Sequence, residues 1–289
     1  MSSKDARRKV EKEKEAKNEN IVAADWNTVI AESREDAPAI VFLVENVDGT
    51  IIDQVVAPAT AGFNRVAWDL RYPSVEPWEP VPEGEEAHEG AGILVIPGSY
   101  AVSMYKRVNG EMIDLGQKQT FNVVSIRPDP AIEGSSQQQR VIFEAQVDEL
   151  LRAAAGSSEA VDAVIGELDA VKATLHRSMT DGSLYELAHS IQQSLKASNE
   201  KLTDNELRDA YNDLAIMSVQ ARLWHARFDP SSSAHGPTAA QKESLRIARK
   251  LYDETVAELT QLVDGDYAAL KEAMDIAKVP WTPGRGIQE

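Results

Sequence analysis

The sequence predicts an α+β chain of two domains, an N-terminal all-β sandwich of immunoglobulin-like (Ig-like) type followed by an all-α up-and-down helical bundle. The first observation is a change of period. Apolar residues alternate with polar ones from Pro38 to Ile126, then recur every three to four residues from Ser136 onward. The second is a pair of stretches, Gly62–Tyr72 (GFNRVAWDLRY) and Pro97–Val102 (PGSYAV), which read as amphipathic strands in the middle of the sandwich. Val66 and Trp68 share one strand face and Phe63, Arg65 and Ala67 the other, with Trp68 read as core and Asp69 as tying down a turn. The third is rhythm. Strands are expected at 39–45, 50–57, 62–69, 99–107, 112–115 and 119–124, with tight turns at Asp48-Gly49 and Asn109-Gly110. That spacing suits a sandwich of about seven short strands.

Residues 1–37 read as a charged helical arm. Lys4, Arg7, Arg8, Lys9, Lys12, Lys14 and Lys17 are nearly cancelled by Asp5, Glu11, Glu13, Glu15 and Glu19, and little apolar face remains, so a solvated helix is expected. Trp26, Val29 and Ile30 form a short amphipathic turn with Asp25 as its cap, able to staple the arm onto the first domain. Within the sandwich, residues 38–126, one insertion (73–92) carries Pro73, Pro77, Pro80 and Pro82 with Glu76, Glu79, Glu83, Glu85, Glu86 and Glu89, and no Lys or Arg. Proline and like charge oppose packing, so it reads as an extended surface loop. It lacks the Asp-x-Asp-x-Asp-Gly spacing that would order a calcium site.

Residues 127–135, containing Arg127-Pro128-Asp129-Pro130, are read as the hinge, and 136–278 as the bundle. Ser136 caps a helix with the face Phe143, Val147, Leu150, Leu151 and Ala154, ending at Gly156. A second helix runs from Ser158 through Val161, Ile165, Leu168, Val171 and Leu175. Ser183–Glu186 and Thr203–Glu206 read as capping boxes for the third and fourth helices, the fourth with the face Leu207, Tyr211, Leu214, Met217, Ala221, Trp224 and Phe228. Thr238–Gln241 caps the next, with Leu245, Ala248, Leu251, Leu259 and Leu262, broken at Asp264-Gly265-Asp266 before a short last helix through Tyr267, Leu270 and Met274. No internal repeat is visible.

At 289 residues with 43% hydrophobic content the chain can bury sizeable cores. A net charge of -17 argues against nucleic acid and anionic membrane surfaces, which select basic patches. There is no cysteine, hence no disulfide and no thiolate metal site. No apolar run approaches the roughly 20 residues of a membrane helix. The N-terminal Met-Ser-Ser-Lys-Asp lacks the apolar core of a signal peptide, so localisation is left unassigned.

No catalytic, cofactor or metal residue is assigned. His88, His176, His189, His225 and His235 form no His-x-x-x-His pair, and neither a Gly-x-Ser-x-Gly elbow nor a phosphate-binding Gly-rich loop is present. His225 beside Trp224 reads as structural, and the pairs Asp148-Glu149 and Asp253-Glu254 as mostly solvent-facing. The candidate interaction residues are Trp78 and, in the tail 279–289, Trp281 and Arg285. Two prolines in Val279-Pro-Trp-Thr-Pro-Gly-Arg285 favour an extended segment, which either packs on its own bundle or docks elsewhere.

Gly62–Tyr72, Pro97–Arg107 and Pro280–Arg285 together resemble the C-terminal region of large bacterial sortilin-type or BNR (Asp-box) glycosyl hydrolase-like β-propeller proteins. The Gly-Phe-Asn-Arg-Val-Ala-Trp-Asp and Pro-Gly-Ser-Tyr pair also resembles the wider Ig-like class of fibronectin type III and flagellar hook-cap folds. In the propeller family this region follows the propellers, and the resemblance implies an exported, periplasmic or extracellular, accessory end. No Ser-x-Asp-x-Gly-x-x-Trp box and no propeller blade is present, so no catalytic residue transfers. The implied function is a non-catalytic interaction module docking on a β-propeller domain or a separately encoded propeller chain. The alternative is a carbohydrate-binding accessory module of a BNR-repeat glycoside hydrolase, which requires exposed coplanar aromatics among Tyr72, Trp78, Tyr100 and Tyr105.

Overall fold

The computed structural model describes residues 2–78, 92–126, 136–211, 217–227 and 236–287. Most of the expected 73–92 insertion, the hinge 127–135, and Leu214, Phe228 and His235 lie outside them. The chain divides into two compact units, Met1–Pro73 with Ala91–Pro128 and Ser74–Gly90 with Asp129–Glu289.

The first unit opens on helices α1 (Ser3–Ala16) and α2 (Trp26–Ser33). Asp25 caps α2 as its position suggests, accepting from the Thr28 amide at 3.0 Å. The two helices are joined by charge. Arg7 donates from Nε and Nη2 to the two oxygens of Glu32 at 2.7 and 2.6 Å, and from Nη1 to Glu11 at 2.5 Å. Those bonds hold the Glu32 carboxyl below its ordinary range. Trp26, Val29 and Ile30 remain exposed.

Four strands follow: β1 (Ala39–Glu45), β2 (Ile51–Pro58), β3 (Gly98–Val108) and β4 (Glu111–Val123). They form a single antiparallel sheet in the order β2-β1-β3-β4. Gly49 at φ +77° turns β1 into β2, and Asn109 and Gly110 at φ +51° and +77° turn β3 into β4, both where the sequence signals them.

The expected all-β Ig-like sandwich is not formed, for two physical reasons. First, the expected strands 112–115 and 119–124 are one strand. Gly116 at φ +66° sits at a register shift opposite Met104 and Tyr105, and its amide donates to Asp114 Oδ1 at 2.7 Å, so the chain bulges rather than turning back. Second, Gly62–Asp69 joins no ladder. Asn64 ties it locally to the Thr60 and Gly62 carbonyls, Phe63 is 91% exposed, and Leu70 at φ +64° ends its extended run. Among the described residues, pairing begins just beyond it, at the isolated bridge from Arg71 to Leu94. Among the described residues no second sheet forms, and Trp68 covers the first one instead.

Trp68 meets Tyr100 and Phe121 edge-on at centroid distances of 5.8 and 5.9 Å, while Tyr100 and Phe121 stack at 6.1 Å. The indole N–H donates to the Arg71 carbonyl at 3.1 Å, and Asp69 accepts the Arg71 amide at 3.0 Å. Trp68 as core and Asp69 as turn anchor are thus both observed. Val44, Ile52, Val95 and Tyr100 complete this small core.

The second unit is helical: α3 (Gln137–Leu175), α4 (Ser183–Asn199), α5 (Glu206–Ala210), α6 (Val219–Ala226), α7 (Ala239–Thr260) and α8 (Ala268–Ile276). It departs from the expected up-and-down bundle in where its helices begin and end. The two helices expected across 136–175 are one of 39 residues. Gly156 does not break it, since the Ser157 hydroxyl returns to the Ala153 carbonyl at 2.8 Å and Val161 and Leu168 continue the same buried face. Asp264-Gly265-Asp266 likewise does not break α7. The backbone passes through a π-helical turn, Gln261–Tyr267, directly into α8. Gln261 lies across Gly265, where an added Cβ would stand 2.4 Å from its Nε2.

Capping boxes close at Ser136–Gln139 and Thr238–Gln241. Those expected at 183–186 and 203–206 do not: Gly182 is the N-cap of α4, and Asn205 Oδ1 accepts the Leu207 and Arg208 amides. The core runs from Phe143 to Val279 and includes Leu168, Leu195, Leu223, Leu270 and Met274, all at 2% exposure or less.

Candidate interaction surfaces

A large indole in water is unusual, because aromatic side chains dominate cores. Of the five tryptophans only Trp68 is covered. Trp26 is 79% exposed, Trp78 83%, Trp224 52% and Trp281 55%. Three of them belong to the helical unit.

Trp281 is fixed by the tail. A Schellman motif ends α8: the Val279 amide donates to the Met274 carbonyl and the Lys278 amide to Asp275, both at 3.0 Å, with Lys278 at φ +55°. Val279 then enters the core and Thr282 is buried. The Arg285 side chain is only 3% exposed. Its Nη1 donates to the carbonyls of Val279 and Pro280 at 3.0 and 2.9 Å, its Nε to Asp275 at 3.0 Å, and its Nη2 also to Asp275. In return, the indole N–H of Trp281 donates to the carbonyls of Arg285 and Gly286 at 3.0 and 3.1 Å.

Gly284, at φ +80°, is the point of closest approach, because a Cβ there would meet Glu167 Oε2 at 2.0 Å. Beneath it the buried Tyr267 hydroxyl donates to Glu167 at 2.7 Å, and burial first, then that bond, push the phenol well above its ordinary value. The tail packs on its own helices. Arg285 is therefore the clamp that presents Trp281, and the indole offers its carbon face outward with its donor already used.

Near Trp224 lies a buried carboxyl. Glu144 and Asp148, one turn apart on α3, are 3% and 6% exposed. Asp148 thus corrects the expectation that it faces solvent with Glu149, which alone does. Arg227, at the end of α6, stands 3.9 Å from Asp148 and 5.2 Å above the Trp224 ring. Burial raises the Asp148 pKa; Arg227 opposes the shift and Glu76 adds to it. Val75 packs on the helical core, and Trp78, three residues further on, is exposed.

Sequence reasoning placed Trp224 on the apolar face of a long helix from Leu207. The buried face of α6 is instead Val219, Leu223 and Ala226, a phase that leaves Trp224 outside. The usable signal was Ser218, which caps α6 by accepting the Ala221 amide and resets that phase. His225 is exposed beside Trp224.

The two units differ sharply in charge. The first carries 14 Lys and Arg against 15 Asp and Glu, a net of -1, and the second 16 against 32, a net of -16, together the -17 of the chain. Two open depressions, about 270 Å³ beside Arg34 and Asn109 and about 500 Å³ along α1 at Arg8 and Lys12, are both lined mainly by charged or polar residues. Among the described residues no three His, Cys, Asp or Glu gather as a metal site, and no helix is long and apolar enough to cross a membrane.

No family model, no curated protein and no solved structure matches this chain.

Proposed function

We propose that this chain is a non-catalytic interaction module that docks on a β-propeller domain, either within a longer polypeptide or on a separately encoded chain. The observation that carries the reading is the exposure of four of the five tryptophans, since exposed aromatic anchors mark protein interfaces. The resemblance of Gly62–Tyr72, Pro97–Arg107 and Pro280–Arg285 to the region that follows bacterial sortilin-type and BNR propellers names the partner. Preorganisation supports it further. Trp281 is locked by the Arg285 clamp before any partner arrives, which lowers the entropy of binding.

The carbohydrate-binding alternative fares less well on its own criterion. Tyr100 is buried, and Tyr72 and Tyr105 are half-covered, so the sheet unit presents no platform built from them.

The test is to look for a propeller-encoding frame beside the gene and to co-purify the tagged full chain with its product, followed by affinity measurement on the purified pair; a neighbourhood without such a frame, together with no propeller in the same polypeptide, overturns the reading. Trp78→Ser and Trp281→Ser are each expected to weaken binding by about 10-fold or more, as anchor residues do, with unchanged far-UV circular dichroism. Glycan-array binding by a chain that ignores the propeller would overturn the docking reading in favour of sugar recognition.

A further inference from the structure

We infer that Asp148, Arg227 and Trp224 form a pH-sensitive latch at the end of α6, in which the ionised Asp148 holds the Arg227 guanidinium beside the Trp224 ring and the protonated acid lets it go. Arg227 closes α6, its amide donating to the Leu223 carbonyl at 2.8 Å. Its guanidinium carbon lies 5.2 Å from the Trp224 ring centroid, and its Nη2 lies 3.9 Å from Oδ1 of Asp148, a residue 6% exposed on α3. At that distance the pair is not a hydrogen bond, and among the described residues Asp148 Oδ1 accepts none. The attraction is therefore Coulombic, strengthened by the burial of the carboxylate, and it vanishes with the carboxylate's charge. A cation–π contact to a half-exposed indole is weak by comparison, and a guanidinium with a quarter of its side chain in water hydrates readily. Among the described residues the charges that act on Asp148 are Arg227 on α6 and Glu76 ahead of the helices; Glu144, itself 3% exposed, stands one turn before it on α3. Burial, the largest influence, and Glu76 favour the neutral acid and Arg227 the ionised one, so the proton is taken up above the ordinary carboxylate range. The latch needs no partner and holds or fails independently of the docking reading.

The experiment follows the full chain by NMR from about pH 7.5 down to about pH 4, reading the Asp148 carboxyl carbon and the Trp224 indole N–H, with circular dichroism confirming the fold at each step. The two signals are assigned by their loss in Asp148→Asn and Trp224→Phe. They are expected to move together, with one midpoint above the ordinary 3.8. Asp148→Asn is expected to abolish the indole transition and to keep the indole near its low-pH position. Arg227→Gln carries the same test if Asp148→Asn does not fold: it abolishes the indole transition and raises the Asp148 midpoint, because the cation that favours ionisation is gone. Glu76→Gln is expected to lower the midpoint and to bring the indole transition down with it. His225, exposed beside Trp224, is the other titrating group at the ring, and His225→Gln is expected to leave the transition in place. An indole transition that survives Asp148→Asn or Arg227→Gln, or that disappears in His225→Gln, overturns the inference. So does an Asp148 carboxyl that titrates with no change at Trp224.

Discussion

In the sheet unit the aromatic core closes around four buried side chains, Val44, Ile52, Val95 and Tyr100, with Trp68 laid over them. In the helical unit 23 buried side chains of the described residues, from Phe143 to Val279, form one continuous cluster. The charge runs the other way, nearly balanced on the sheet and strongly negative on the helices. The two facts belong together. A net charge of -16 destabilises a compact state by self-repulsion, and a deep Leu- and Val-lined core supplies apolar burial to offset it. The sheet unit carries little such repulsion and holds with a thin core fixed by one tryptophan. The exposed indoles follow the same division, since the well-cored unit carries three of the four.

The sharpest way to break this comparison is at the deep core. Leu168, fully buried on α3, is expected to cost about 3 kcal/mol as Leu168→Ala, read from urea denaturation of the helical signal. A loss under about 1 kcal/mol would mean that the cluster is loosely packed and that the stability of this unit lies elsewhere.

A smaller effect is expected on the sheet. Trp68→Ala removes two edge-on aromatic contacts and the bond to the Arg71 carbonyl, for about 2 kcal/mol. Near-ultraviolet dichroism should fall while the helical transition keeps its midpoint. A helical midpoint that shifts by as much as the sheet signal contradicts the picture of two separately cored units.

Asp148 tests the electrostatic side. Its folded pKa is raised by burial, so the ionised carboxyl disfavours the folded state at pH 7, and that cost fades as pH falls through the folded pKa toward the unfolded value of 3.8. Asp148→Asn should therefore raise Tm at pH 7 by an amount that shrinks toward zero below about pH 4. A Tm that falls at pH 7 would show that the pairing with Arg227 outweighs burial.

The smallest effect is at the arm. The Glu32 pKa is lowered chiefly by its bonds from Arg7, so the tie between α1 and α2 is present above the unfolded value of 4.5 and lost as pH drops through the folded one. Glu32→Gln should speed amide exchange in α1 at neutral pH and leave the sheet amides unchanged. Equal exchange in wild type and variant would mean that α1 is held by its own caps alone.

What the residues determined by themselves was local. The Asp48-Gly49 and Asn109-Gly110 turns, the Asp25, Ser136 and Thr238 caps, and the 3.6-residue period of α3 and α7 were all legible, because each depends on a few adjacent dihedrals or on a hydrogen bond within one turn. The tertiary structure decided whatever depended on a partner distant in sequence. Gly62–Asp69 has strand-like alternation but pairs with no described strand, so it caps one sheet rather than completing a sandwich. Gly156 and Asp264-Gly265-Asp266 carry breaker chemistry, but packing against neighbouring helices keeps the backbone helical through both. The candidate site divides in the same way. Trp78 and Trp281 were legible as large apolar side chains in proline-rich segments. The burial of Asp148, the outward phase of Trp224 and the use of Arg285 as a clamp arise only when α3, α6 and the tail converge, because burial belongs to an assembled surface and not to a sequence position.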